Sequence, residues 1–322
     1  MRRREFIAGL GGAVAWPLAV HSQPRALPMI GYIGGALPAD KTAFLNGLAE
    51  PGYVEGRNVA IEYHSVDTRN ERLPGIVSDL VGRRVAVIAV VISTAAALAA
   101  KAATQDIPIV FRIGGDPVAS GLVPSLARPG GNLTGVTTMG VEQGPKRLQL
   151  LLEILPAGAA VALLTNPTNA NAARERDEIR AAARLLGVRL VIFNATTTDD
   201  IKAAFVGFVA QRIGGFMTAA EPLFFRNSDL IVALAARHAI PAIYSGRPSF
   251  DAGGLMIYAS DMFDAHRWTG VYTGRILKGE KPADLPVQQS TKVELALNLK
   301  VAKALGITFP TSLLVRADEV IE

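Results

Sequence analysis

The chain of 322 residues contains no cysteine. That absence excludes disulfides, thiolate metal sites and cysteine nucleophiles. It also excludes a lipoprotein anchor, which needs an acylated cysteine. Histidine is scarce, with four residues: His21, His64, His238 and His266. No two of them have metal-pair spacing. His266 is expected on a helix surface. Neither a G-x-G-x-x-G fingerprint nor a phosphate loop occurs, and Gly31-Tyr32-Ile33-Gly34-Gly35 lacks the spacing. A G-x-S-x-G nucleophile elbow is missing too. Net charge is only +5, and Arg2, Arg3 and Arg4 against Glu5 contribute part of it. The remainder is too small to argue for a nucleic-acid partner. What is abundant is apolar: 50% of residues are hydrophobic and 19% are charged, which excludes a disordered chain. The length suggests about two domains on a prior of about 150 residues each.

The first residues read as an address. Arg2-Arg3-Arg4-Glu5-Phe6 precedes an apolar stretch from Ala8 to Val20, then His21-Ser22. A charged region, a short apolar run and a small-residue exit make an export signal peptide over 1–22. Arg3-Arg4-x-Phe6 matches the twin-arginine type; general secretion and a short membrane anchor are the alternatives. Gly9, Gly11, Gly12 and Pro17 make the run a poor spanning helix. The expected location is the periplasm.

From Pro28 onward, short apolar runs alternate with amphipathic stretches. The pattern predicts strands at Met29–Ile33, Val85–Ile92 and Ile107–Phe111, with helices near Asp40–Glu50 and Thr94–Ala103. The same order returns with strands at Ala159–Leu164, Val188–Phe193 and Gly215–Thr218. Ala97-Leu98-Ala99-Ala100-Lys101 ahead of Ile107-Pro108 has a counterpart in Ala233-Leu234-Ala235-Ala236-Arg237 ahead of Ile240-Pro241. Repeated β-α units imply an α/β fold of two Rossmann-like, doubly wound, parallel-sheet lobes. One larger sheet is the alternative. Lobe one is assigned to 28–135 plus 259–286, and lobe two to 138–256 plus 289–322. Extended stretches at Asn132–Thr138, Gly253–Tyr258 and Leu285–Gln289 are read as three crossings, a hinge for rigid-body closure.

Ligands of open parallel sheets sit beyond the carboxyl ends of the strands. That rule selects loops whose residues each have a structural alternative. Gly35 permits close backbone approach or makes an ordinary turn. Ser93 and Thr94 hold an anion or cap a helix. Asp116 and Asn166, each before a proline, bind a polar ligand group or cap. Glu221 meets a cationic group, and Tyr244 and Tyr258 offer flat faces or fill the core. Phe224 and Phe225 read as core. No metal or cofactor is expected.

These residues sit among longer motifs: Gly52-Tyr53-Val54-Glu55-Gly56-Arg57-Asn58-Val59, Gly114-Gly115-Asp116-Pro117, Arg128-Pro129-Gly130-Gly131-Asn132-Leu133-Thr134-Gly135 and Gly274-Arg275-Ile276-Leu277-Lys278-Gly279. Together with Ile240-Pro241-Ala242-Ile243-Tyr244 and Ala302-Lys303-Ala304-Leu305-Gly306, they resemble ABC-transporter substrate-binding proteins of the tryptophan/aromatic-amino-acid-binding type. The resemblance implies a type I periplasmic-binding-protein fold with a small-molecule solute between the lobes. It also implies delivery to a membrane permease and ATPase, with the receptor a monomer and not an enzyme. Carried over by position, the ligand residues are Thr94, Asp116, Thr137, Asn166, Glu221, Tyr244 and Tyr258. Ile92-Ser93-Thr94-Ala95 stands where relatives often read Gly-Thr-Pro, and Glu221 where many have Asp. An exported sensory module or an exported enzyme on the same fold are the rival readings.

Overall fold

The structure is a computed structural model describing residues 27–35, 38–66, 70–91, 93–140, 142–290 and 292–322. The expected export leader over 1–22 lies outside them. Two sheets form, each from one run of β-α units. In the first, β1 (Met29–Gly34), β2 (Ala60–Ser65), β3 (Val87–Val90), β4 (Ile109–Ile113) and β5 (Leu133–Thr137) lie side by side. The second holds β6 (Val161–Thr165), β7 (Leu190–Asn194), β8 (Gly215–Thr218), β9 (Ala242–Tyr244) and β10 (Met256–Ser260). Three late strands complete them: β11 (Gln288–Gln289), β12 (Val293–Asn298) and β13 (Glu319–Ile321).

The first sheet has the order β11-β5-β4-β3-β1-β2, with every pairing parallel. The second runs β13-β12-β10-β9-β8-β6-β7, antiparallel only between β10 and β12. The central strands β3, β4, β6 and β8 are buried throughout. Helices cover both faces of a parallel sheet, so such strands read as continuous apolar runs. Strand order reverses between β1 and β3 in one sheet and between β6 and β8 in the other. Those switch points open the two crevices that a ligand can enter.

The extended stretch Gly253–Tyr258 is not a free crossing. Met256–Ser260 is a core strand, paired to β9 on one side and β12 on the other. Buried extended backbone needs ladder partners, and these supply them. Asn132–Thr138 and Leu285–Gln289 likewise carry β5 and β11 of the first sheet. The passages between sheets follow these strands: 138–140, around Asp261, and after Ser290 ahead of Lys292. They are tied to one another. Ser260 Oγ donates to Thr138 O at 2.7 Å, and Gln143 Nε2 donates to Ser260 Oγ at 2.6 Å. Lys292 Nζ donates to Asp261 Oδ2 at 2.7 Å.

After the second passage, the Met262–Leu277 helix returns to the first sheet and lies against the Pro38–Ala49 helix. Glycines permit that approach: a Cβ on Gly47 would fall 1.8 Å from Arg267 O, and one on Gly270 2.0 Å from Phe44 O. Val271, Tyr272 and Ile276 then close over Val87 and Val110. His266 is fully buried on this helix, its Nδ1–H donating to Met262 O at 2.7 Å. The surface position expected for it is therefore corrected, because its face of the helix packs inward.

Candidate functional site

The carboxyl ends of the two sets of strands face one cleft of about 820 Å³. Gly35, Ser93, Thr94, Arg112 and Gly114 line it from the first lobe. Asn166, Asn169, Glu221, Phe225, Arg226 and Ser245 line it from the second. Thr138, Ser260 and Lys292, from the three passages, contribute as well.

The sequence-based candidates divide into two groups. Gly35, Ser93, Thr94, Asn166 and Glu221 meet on the cleft wall. Ser93 is also the N-cap of the Thr94–Ala103 helix, its Oγ accepting from Ala96 N at 3.2 Å. Thr94 Oγ1 accepts from Asn171 Nδ2 of the opposite lobe at 3.2 Å. Asn166 Nδ2 donates to Glu221 Oε1 at 3.1 Å, and Asn169 Nδ2 to Glu221 Oε2 at 2.5 Å. Glu221 Oε1 also accepts from Leu223 N at 3.0 Å, so it caps the Pro222–Arg226 helix. Two amides and a helix N-terminus thus hold the carboxylate rigidly at the wall.

Asp116, Thr137, Tyr244 and Tyr258 are not on that wall. Asp116 Oδ1 accepts from Val118 N at 2.7 Å and Ala119 N at 3.2 Å, while Oδ2 lies 3.8 Å from Arg174 of the other lobe. It is a turn cap at the rim. Thr137 spends its hydroxyl on Gly115 O at 2.7 Å and on Met139 N at 3.2 Å, shaping the passage, and its neighbour Thr138 faces the cleft. Tyr244 is a core residue, edge-on to Phe216 at 5.9 Å, and burial raises its phenol pKa. Tyr258 packs against the second core, and its carbonyl accepts from Arg147 Nη1 at 3.4 Å. Of the two phenylalanines read as core, Phe224 is buried and Phe225 lines the cleft.

Sequence reasoning passed over Arg112, Asp40 and Arg226, all of which line the cleft. A legible signal existed for Arg112: it interrupts the apolar run Ile109-Val110-Phe111 in a central strand, where charge is costly. Burial raises the Asp40 carboxyl pKa, and Arg112 pulls against that rise. Burial, then the field of Arg112, lower the His266 imidazole to about 3, so it is neutral.

Behind the second-lobe wall lies a closed ion pair. Arg147 Nη2 donates to Glu175 Oε1 at 2.9 Å with both side chains buried. Glu175 also accepts from Ala220 N at 3.1 Å, and Arg147 donates to Gly140 O at 3.2 Å. The pair therefore ties a cleft loop, the first passage and, through Tyr258 O, strand β10 together. At the rim, Arg174 joins Glu142 at 3.1 Å and Glu178 at 2.9 Å in addition to Asp116. Among the described residues no three His, Asp or Glu side chains assemble a metal site. No helix there is long and apolar enough to cross a membrane. The chemistry on the wall is hydrogen bonding and charge, arranged for holding a solute.

Known proteins share this arrangement. Residues 34–321 match the sequence profile of the ABC transporter substrate binding proteins. A tyrosine-binding protein from Clostridioides difficile (strain R20291) is 27% identical over 273 residues, 84% of this chain and 78% of that protein. An ABC domain from Streptococcus pneumonia, solved in complex with L-Trp, superposes with a TM-score of 0.81 at 25% identity, covering 92% of this chain and 100% of that one. The ligand-free, open structure of a substrate binding protein with adhesive properties from Clostridium difficile gives 0.64, also at 25% identity, over 92% and 99% of the two chains. The two parallel-sheet lobes are the type I periplasmic-binding-protein fold. This chain belongs to the ABC transporter substrate-binding protein family.

Proposed function

We propose that the protein is an exported receptor that captures an amino acid or another carboxylate-bearing solute between its lobes. It then delivers the solute to the permease and ATPase of an importer. The observation carrying this reading is the cleft: about 820 Å³, bounded by both topological switch points and lined by convergent polar groups. Gly35, Ser93, Thr94, Asn166 and Glu221 are the proposed ligand residues. Export by the leader over 1–22, through the twin-arginine route, and action as a monomer in the periplasm belong to the same reading.

Binding works by closure. The lobe carrying β1–β5 and β11 and the lobe carrying β6–β10, β12 and β13 move as rigid bodies on the three passages, so the sequence-based bounds at 256/259 and 286/289 shift to follow Ser260 and Gln289. Two contacts already span the cleft: Thr94 with Asn171, and Asp116 with Arg174. The lobe arrangement also superposes better on the L-Trp complex than on the ligand-free, open relative. A solute that prefers the closed form shifts the population toward it.

The test is thermal unfolding of the leaderless protein with amino acids, aliphatic and aromatic carboxylates and neutral sugars. A cognate solute at 100 times its Kd stabilises by about 2.7 kcal/mol, roughly 5–11 °C for a chain of this size. Turnover of a solute without stabilisation by any would contradict the reading.

A further inference from the structure

Among the described residues two arginines are buried, Arg112 and Arg147. Arg147 is closed by a carboxylate, Glu175, at 2.9 Å. Arg112 has no such partner. It is 8% exposed and lines the cleft from the carboxyl half of β4. Its Nη2 donates to Val91 O at 2.7 Å, and Nη1 meets only the thioether of Met262 at 3.7 Å. Its Nε is buried without a hydrogen-bond partner. Asp40, also on the cleft wall, lies within its field, and the two form no salt bridge. A further polar atom is left without a partner in the same neighbourhood, Tyr32 Oη.

A guanidinium has five donors in a rigid planar fork and cannot shed its proton. Burying it without an anion is costly, and one removed partner of a buried pair leaves that cost uncompensated. Neutral His266 does not offset the charge. The fork geometry matches a carboxylate in two parallel N–H···O bonds.

We propose that Arg112 is the carboxylate receptor of the cleft: the solute enters lobe one acid-end first, and the open guanidinium fork closes on its carboxylate. The remainder of the solute then points toward Phe225 and the Asn166–Glu221 cluster of the other lobe. This inference rests on the solute-binding reading above and specifies the group recognised.

The experiment compares each acid with its own amide. L-tyrosine, L-tryptophan, phenylacetate and pentanoate are titrated calorimetrically beside their carboxamides, with glucose as a neutral control. The proteins are the wild type, Arg112→Lys and Arg112→Met. The expected result is an acid that binds the wild type about 100-fold more tightly than its amide. Arg112→Met erases that ratio, and Arg112→Lys keeps part of it. Should Arg112→Met fail to fold, the wild-type and Arg112→Lys ratios decide. Equal binding of acid and amide overturns the assignment, as does an acid preference surviving in Arg112→Met. Binding of glucose alone overturns it too, and in these cases the solute-binding function stands. Binding of nothing in the series to any of the proteins overturns both.

Discussion

Replacing Arg147 by methionine lowers the unfolding midpoint by roughly 6–20 °C. The variant strips the cation from Glu175 and leaves a buried carboxyl facing Ala220 N alone. Removing one partner of a buried pair costs about 3–5 kcal/mol, because the survivor keeps its desolvation penalty. The loss should also depend on pH. Burial raises the Glu175 pKa, while Arg147 and the Ala220 amide restrain the rise. Without Arg147 the folded-state pKa climbs further above that of the unfolded chain. The folded protein then holds a proton that the unfolded chain releases as pH passes its ordinary value of about 4.3. Stability from this group is therefore fullest below that value and falls as pH rises toward the folded pKa. Thermal melts at pH 5 and pH 8 check the sign: the gap between variant and wild type should be wider at pH 8. A gap that narrows at pH 8, or a variant as stable as the parent, would remove the pair from its structural role. The double variant Arg147→Met with Glu175→Gln should recover part of the loss, since no buried charge then remains.

The second large effect is on binding with the fold intact. Gly114 lines the cleft, and a Cβ placed there meets nothing closer than Thr138 Oγ1 at 3.9 Å. Gly114→Trp should therefore fold, with its indole filling the space between the lobes. We expect affinity for the solute found by the panel to fall by about 100-fold or more, equivalent to about 2.8 kcal/mol. The midpoint without solute should stay within a few degrees of the parent. The contrast with the next residue is instructive. A Cβ on Gly115 would come within 2.7 Å of Asn171 Oδ1, so its lack of a side chain lets the lobes meet. Full-affinity binding by Gly114→Trp would place the solute elsewhere.

The β-α alternation was readable because buried parallel strands leave an unbroken apolar signature. Thr94–Ala103 came out with its bounds intact, since Ser93 ahead of an Ala-rich run is a local cap signal. The late strands were harder. The stretch Gly253–Tyr258 reads as a crossing between lobes, yet it runs into the strand Met256–Ser260, and nothing local distinguishes a crossing from a strand whose partner, β12, lies some 35 residues on. The strand-end rule found Gly35, Ser93, Thr94, Asn166 and Glu221, because topology alone delivers those loops to the cleft. It also selected Tyr244, which packs in the second-lobe core against Phe216, since one residue of strand register decides the face a side chain takes. Thr137 and Thr138 show the same one-residue alternation, with the cleft going to the second. Arg112 escapes a rule that selects loops, because its side chain reaches the cleft from inside a strand.

The absence of cysteine makes the central claim directly measurable. Ala119→Cys and Asp229→Cys, on exposed positions of opposite lobes, accept one label each without background. The distance between them is followed while L-tyrosine, L-tryptophan and the carboxylates of the panel are added in turn. A receptor that grips its solute by closing shows a shift to the shorter distance with at least one of them, saturating as the solute does. A distance distribution indifferent to every solute, including one bound by calorimetry, would contradict the account.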